Sequence, residues 1–101
     1  MIKATVLYGH PASTDSFEKY YAETHTPLIG KVQGIVKAEL TKFLPNPDGT
    51  AAAYYRMAEL YFASPAEMQQ ALGSPEGQTL AADMSNFATG GATVLIGVVE
   101  N

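Results

Sequence analysis

Two histidines, His10 and His25, are the side chains of this sequence best suited to moving a proton at neutral pH, and no cysteine competes for that work. His25 lies in "YYAETHTPLIGK", Tyr20 to Lys31, in the last turn of a predicted helix and two residues before Pro27. Helical spacing sets it about 40° round the wheel from Tyr21, at the edge of the apolar stripe of Phe17, Tyr20 and Tyr21. An imidazole bordering buried space can serve as a general acid or base. The same position suits a purely structural role. A protonated histidine in a last helical turn gains roughly 0.3–1 kcal/mol from the helix dipole, and its nitrogens can bond carbonyls released by the proline. The residues alone leave both readings open.

Around His25 the sequence predicts an aromatic setting. Six tyrosines are many for a chain of this size, and buried phenols need partners. Tyr21 and Tyr61 are the candidates to line a pocket with His25, joined by Phe62. Tyr8 is a further ligand-binding candidate, placed by topology nearer His10, Asn86 and Phe87. Asp83 and Asn86 are expected to be hydrogen-bonding residues at a helix end. His10 precedes a proline and reads as a strand-end turn residue. No His-x-x-x-His spacing or carboxylate cluster occurs, so neither a metal site nor a cofactor is expected. A Gly-x-Ser-x-Gly elbow is missing too, and "GSPEG" and "TGGAT" lack the spacing and lysine of phosphate-binding loops.

The elements that must position these groups follow from turn chemistry and periodicity. "IKATVLYG" (Ile2 to Gly9) is β-branched and aromatic, and "GHP" stops it. Ser13 or Asp15 can cap a helix over about Asp15 to His25. Pro27 lacks an amide proton and would crowd the Glu23 carbonyl, so the helix is expected to end or kink near His25. "IVKAELTKFL" (Ile35 to Leu44) and "AYYRMAELYFA" (Ala53 to Ala63) flank the turn-rich "PNPDGT" as a hairpin. "SPAEMQQAL" opens a helix with Ser64 as N-cap, Pro65 at its first position and Glu67 at its third. Gly73 closes it, "SPEGQTLAADMSNFATGG" forms a second helical piece, and "ATVLIGVVE" (Ala92 to Glu100) is a last strand. The order βαββαβ predicts a ferredoxin-like α+β sandwich, with four antiparallel strands and helices on one face, over one domain spanning 1–101.

Composition bounds the partners. Of 101 residues, 47% are hydrophobic and 16% charged, with a net charge of −4. Six scattered basic residues make no patch for nucleic acid or anionic membrane surfaces. No apolar run is long enough for a membrane helix, so a cytoplasmic protein is expected. The strands, however, are apolar on both faces. Val94, Ile96 and Val98 alternate with Leu95 and Val99, and Leu60 and Phe62 with Tyr55, Met57 and Tyr61. Helices on one side cannot cover both faces, and a second copy packing sheet to sheet is the expected remedy.

With these elements placed, the sequence resembles the EthD family of the dimeric α+β barrel superfamily. The stretches that carry the resemblance are "VLYGHP", "FEKYYAETHTPL", "SPEGQ" and "ADMSNFATGGATVLIG", which cover most of the chain outside the hairpin loop. It implies two sheets packed into a barrel across a homodimer. It also implies association with degradation of ethyl tert-butyl ether and other small organic molecules, beside an oxygenase system. Proteins similar in architecture include isomerases and cofactor-free monooxygenases. The resulting expectation is a pocket for a small apolar organic molecule, with His25 as acid or base oriented by a tyrosine hydroxyl, as in isomerisation, dehydration or monooxygenation. The alternatives are a non-catalytic accessory protein of an oxygenase pathway, with His25 structural, and a haem-binding protein ligating through His25.

Overall fold

A computed structural model describes residues 1–100. Strand β1 (Ile2–Tyr8) leads to helix α1 (Thr14–Tyr20), a π-helical turn (Tyr21–His25) and the short helix α2 (Thr26–Ile29). The hairpin β2 (Lys37–Lys42) and β3 (Arg56–Phe62) follows, then α3 (Pro65–Gly73), α4 (Pro75–Asp83), a 3-10 turn (Met84–Asn86) and β4 (Ala92–Val98). All pairings are antiparallel in the order β2-β3-β1-β4, which is the ferredoxin-like arrangement the sequence predicts. No helix among the described residues is long and apolar enough to cross a membrane.

The caps are those the sequence announces. Ser13 Oγ accepts from the Ser16 amide, Ser64 Oγ from Glu67 and Ser74 Oγ from Gly77, so α1, α3 and α4 each start on a serine that satisfies an orphan amide. Pro65 and Pro75 occupy first-turn positions, where a missing amide proton costs nothing. Gly77 has a packing reason: a Cβ there would lie 2.2 Å from the Ala71 carbonyl oxygen. Its absence lets α4 turn tightly off α3 and cross the sheet toward the long helix.

The first helix departs from expectation. It does not stop at His25 but continues to Ile29, through a turn in which the Thr26 amide donates to the Tyr21 carbonyl. Widening the helix by one residue is a way to accommodate Pro27, which supplies no amide and would otherwise crowd the carbonyl four residues back. His25 is 3% exposed and fully inside, not at the rim of the apolar stripe.

The sheet also differs from the sequence reading. Register puts Val94 opposite Val6 and Ile96 opposite Ala4, so both lie on the helix-covered face. They are nonetheless 50% and 53% exposed. The helices cover the inner strands β1 and β3 and leave the edge strands bare. The other face is mixed: Lys3 pairs with Glu59 at 2.6 Å and the Tyr61 hydroxyl donates to Glu39 at 2.8 Å, beside Leu7, Met57 and Leu95. Tyr55, expected on that face, instead precedes β3 and is buried against Phe17 on the helix side.

Candidate functional site

The core divides into two clusters. One is aromatic, built from Tyr8, Phe17, Tyr21, Tyr55 and Phe87; the other is mainly aliphatic, built around Leu60, Phe62, Val32 and Leu80. Two buried polar residues, His25 and Asp83, accompany them. His25 Nδ1 lies 2.9 Å from Asp83 Oδ2. The other carboxylate oxygen accepts from the Tyr20 hydroxyl at 2.5 Å and from the Asn86 amide at 3.0 Å. α4 brings Asp83 to this point because it ends there, and the 3-10 turn then folds Asn86 and Phe87 back over the His25 end of the long helix.

The protonation state follows from the donors. Burial opposes the charge on Asp83, but hydrogen bonds from Tyr20, Asn86 and His25 outweigh it and hold the carboxyl below its ordinary range. An ionised Asp83 can only accept, so Nδ1 of His25 carries a proton. In the neutral ring the lone pair is then on Nε2, which has no protein partner among the described residues. Tyr21 stacks on the imidazole at 5.7 Å between centroids, and Phe87 packs against it, tilted, at 4.5 Å. The ring packs against two aromatics and is tied at one edge.

His25 forms part of the wall of a cavity of about 120 Å³. The remainder is almost wholly apolar: Val6 and Tyr8 from β1, Ala58 and Leu60 from β3, and Ile29, Leu72 and Leu80 from the helices are among its walls. Ala81 of α4 and Val94 of β4 are wall residues exposed to solvent, which places the opening between those two elements. Tyr8 is the second residue of the wall with a polar atom to offer. Burial raises its phenol well above the ordinary value, so it stays protonated and able to donate. Burial likewise pushes Tyr21 up to about 12, and the Tyr21 hydroxyl is enclosed without a partner.

Of the residues singled out in the sequence, His25 and Tyr8 meet in the cavity wall and Tyr21 backs the imidazole. Phe62 is fully buried in the adjoining aliphatic cluster and does not form the cavity wall. Tyr61 is on the opposite face of the sheet, under the Lys37 ammonium at 4.6 Å, because alternation along β3 turns it away from Leu60 and Phe62. Asn86 and Phe87 sit at His25, not at His10. Asp83 is a helix-end hydrogen-bonding residue as expected, but its partner is the imidazole. The carboxylate 58 residues away from His25 had no local signal to announce it. His10 bonds the Ala52 carbonyl at 2.7 Å, and no group of three metal-ligating side chains occurs among the described residues.

A ferredoxin-like α+β domain with a mostly apolar, histidine-bearing cavity between sheet and helices defines the class. Residues 9–91 match the EthD domain, and the chain belongs to the EthD family. It is 41% identical over 95 residues to an uncharacterised 11.0 kDa protein of the thcB–thcC intergenic region of Rhodococcus erythropolis, a match covering 94% of this chain and 91% of that one. It is similar to the crystal structure of an EthD family protein from Bacillus halodurans, with a TM-score of 0.93, 31% identity and 99% of each chain covered. A hydroxynitrile lyase from Passiflora edulis shares the fold at a TM-score of 0.75 and 16% identity, with 98% and 94% covered.

Proposed function

We propose that the cavity binds a small, uncharged organic molecule and that His25 exchanges a proton with it through Nε2. The observation that carries this reading is an imidazole fixed by Asp83 in the wall of an otherwise apolar cavity. An apolar pocket of about 120 Å³ is close in size to an engineered cavity of roughly 150 Å³ that holds benzene. The ligand is therefore a single ring or a branched skeleton of similar bulk. An ionised Asp83 places a negative charge beside the imidazole, which disfavours carboxylate and phosphate ligands. Tyr8 would hold an oxygen of the ligand by donating to it. A porphyrin has no room in such a cavity, which argues against the haem alternative.

The chemistry this arrangement supports needs no cofactor. A base with a fixed lone pair can take a proton from an activated C–H or from a phenol and return it elsewhere, as in isomerisation, dehydration or preparing a phenolate for reaction with dioxygen. Such a role suits a cytoplasmic protein working beside an oxygenase system in breakdown of organic compounds, including ethers. The test is deuterium exchange from D₂O into small uncharged ketones and phenols. Wild-type protein is expected to catalyse exchange with saturation, and His25→Asn to lose at least about 100-fold of it. Saturable binding without exchange in either form would replace the enzyme with a non-catalytic binding protein.

The chain is further proposed to act as a homodimer through the uncovered sheet face. Leu95, 53% exposed beside Leu7 and Met57, supplies apolar area. Lys3, Glu59, Lys37 and Glu39 supply charges of both signs that a two-fold axis can match. Solution mass at micromolar concentration should be twice that of the chain, and Leu95→Lys should halve it; a wild-type mass equal to one chain contradicts the proposal.

A further inference from the structure

The hydrogen bonds around Asp83 approach it from two sides. His25 reaches Oδ2 from the cavity, while Tyr20 and Asn86 both donate to Oδ1 and both also border a surface groove with Ser13, Ser16 and Thr89. Tyr20 is half-buried, its ring stacked on Phe87 at 5.6 Å and an interplanar angle of 23°. Phe87 in turn contacts His25. Tyr20 thus touches the dyad twice, through the carboxylate and through the shared aromatic wall, without forming the cavity wall itself.

We propose that Tyr20 is a positioning residue for this site: its hydroxyl, with the Asn86 amide, pins Asp83 Oδ1 so that Oδ2 stays on His25 and the imidazole presents Nε2 to the cavity. The proposal rests on the reading that Nε2 meets the ligand, and it deepens that reading by naming what holds the tautomer. A carboxylate has two equivalent oxygens and is free to rotate about its Cβ–Cγ bond. Two donors on one oxygen remove that freedom and spread its charge away from the ring. The ionisable and polar groups facing the pair are Tyr20 from α1, Tyr21 from the π turn, Tyr8 from β1 and Asn86 from the 3-10 turn. β3 and β4 present Ala58, Leu60 and Val94 to the cavity. The nearest guanidinium, Arg56, lies 4.9 Å above the Tyr21 ring and is paired with Glu18 at 2.7 Å.

The test uses Tyr20→Phe, which keeps the ring on Phe87 and removes only the hydroxyl. Asp83 is followed by its side-chain carboxyl ¹³C resonance across acid pH, and the His25 Nδ1–H proton by ¹⁵N-edited spectra at neutral pH, with His10 as the internal control. Loss of one donor to a buried carboxylate is expected to make Asp83 about tenfold weaker as an acid. The Nδ1–H proton is expected to exchange with water at least about tenfold faster, since a carboxylate free to rotate releases it. His10 should not change. Asn86→Ala removes the other donor on the same oxygen and should move both signals in the same direction; it decides the matter if Tyr20→Phe does not fold. An Asp83 titration and a His25 spectrum matching wild type in the folded variants would overturn the proposal. Both spectra are read without substrate. Signals that move as expected in a protein that exchanges no proton with any ligand would support the positioning role and refute the catalytic reading.

Discussion

Arg56 anchors the aromatic side of the site from outside, and replacing it by methionine separates its charge from its packing. Its Nε and Nη2 donate to the two oxygens of Glu18 at 2.9 and 2.7 Å, a bidentate pair reinforced by the Tyr55 hydroxyl at 3.0 Å. The Arg56 bond, more than Tyr55 or Lys42, draws the Glu18 carboxyl from 4.5 down to about 2. At about 1.4 kcal/mol per pH unit, such a shift would correspond to ~3.4 kcal/mol. The Glu18 side chain is 32% exposed, and solvent screening reduces the expectation to about 1–2 kcal/mol. The sign follows from linkage. A carboxyl whose folded value is depressed stabilises the fold fully above its unfolded value, 4.5, and that contribution disappears as pH falls toward the folded value near 2. Urea unfolding of wild type and Arg56→Met at constant ionic strength, from about pH 7 to about pH 2.5, isolates this pair, because all other carboxylates titrate in both proteins. The variant is expected to be less stable by about 1–2 kcal/mol at neutral pH, with the gap closing below about pH 4.5. A gap that stays constant down to the lowest pH would refute the electrostatic reasoning and leave the guanidinium's packing on Tyr21 as the whole effect.

Three further outcomes follow from the cavity and the dyad. Tyr8→Phe removes a hydroxyl that has no protein partner, so denaturant unfolding should show a change within about 0.5 kcal/mol while affinity for an oxygen-bearing ligand falls about fivefold to tenfold by calorimetry. Asp83→Asn leaves the Nδ1–H of His25 and the Tyr20 hydroxyl without a charged acceptor; thermal and urea unfolding should show a loss of about 1–3 kcal/mol, and proton exchange should fall at least about 100-fold. Ala58→Leu projects into the cavity from β3, and ligand binding should vanish at a cost in stability of about 1–3 kcal/mol; retained binding would place the ligand elsewhere.

The architecture was legible because its signals are local. Ser-Pro pairs opened helices where they stand, "PNPDGT" turned the hairpin, and β-branched alternation marked the strands. Elsewhere the fold overrides local rules. Pro27 reads as a stop, yet a π turn carries the helix past it, because widening the helix by one residue relieves the crowding the proline would cause. Tyr61 and Phe62 are adjacent in sequence, but alternation sends one to each face of the sheet. Asp83 could not be assigned to His25 from spacing, since a tertiary hydrogen bond between two helices has no periodic signature. The sequence also does not reveal that the helices cover only the inner strands of the sheet.

The most direct test of the central claim is to watch the site while a ligand enters it. Phenol titrated into protein labelled with ¹⁵N at histidine and ¹³C at tyrosine should shift His25 Nε2 and the Tyr8 ring together and saturably, leaving His10 and Tyr61 unmoved, with no such response in Ala58→Leu. Shifts confined to His10, Tyr61 or the bare edge strands, with His25 and Tyr8 silent at saturation, would contradict the account.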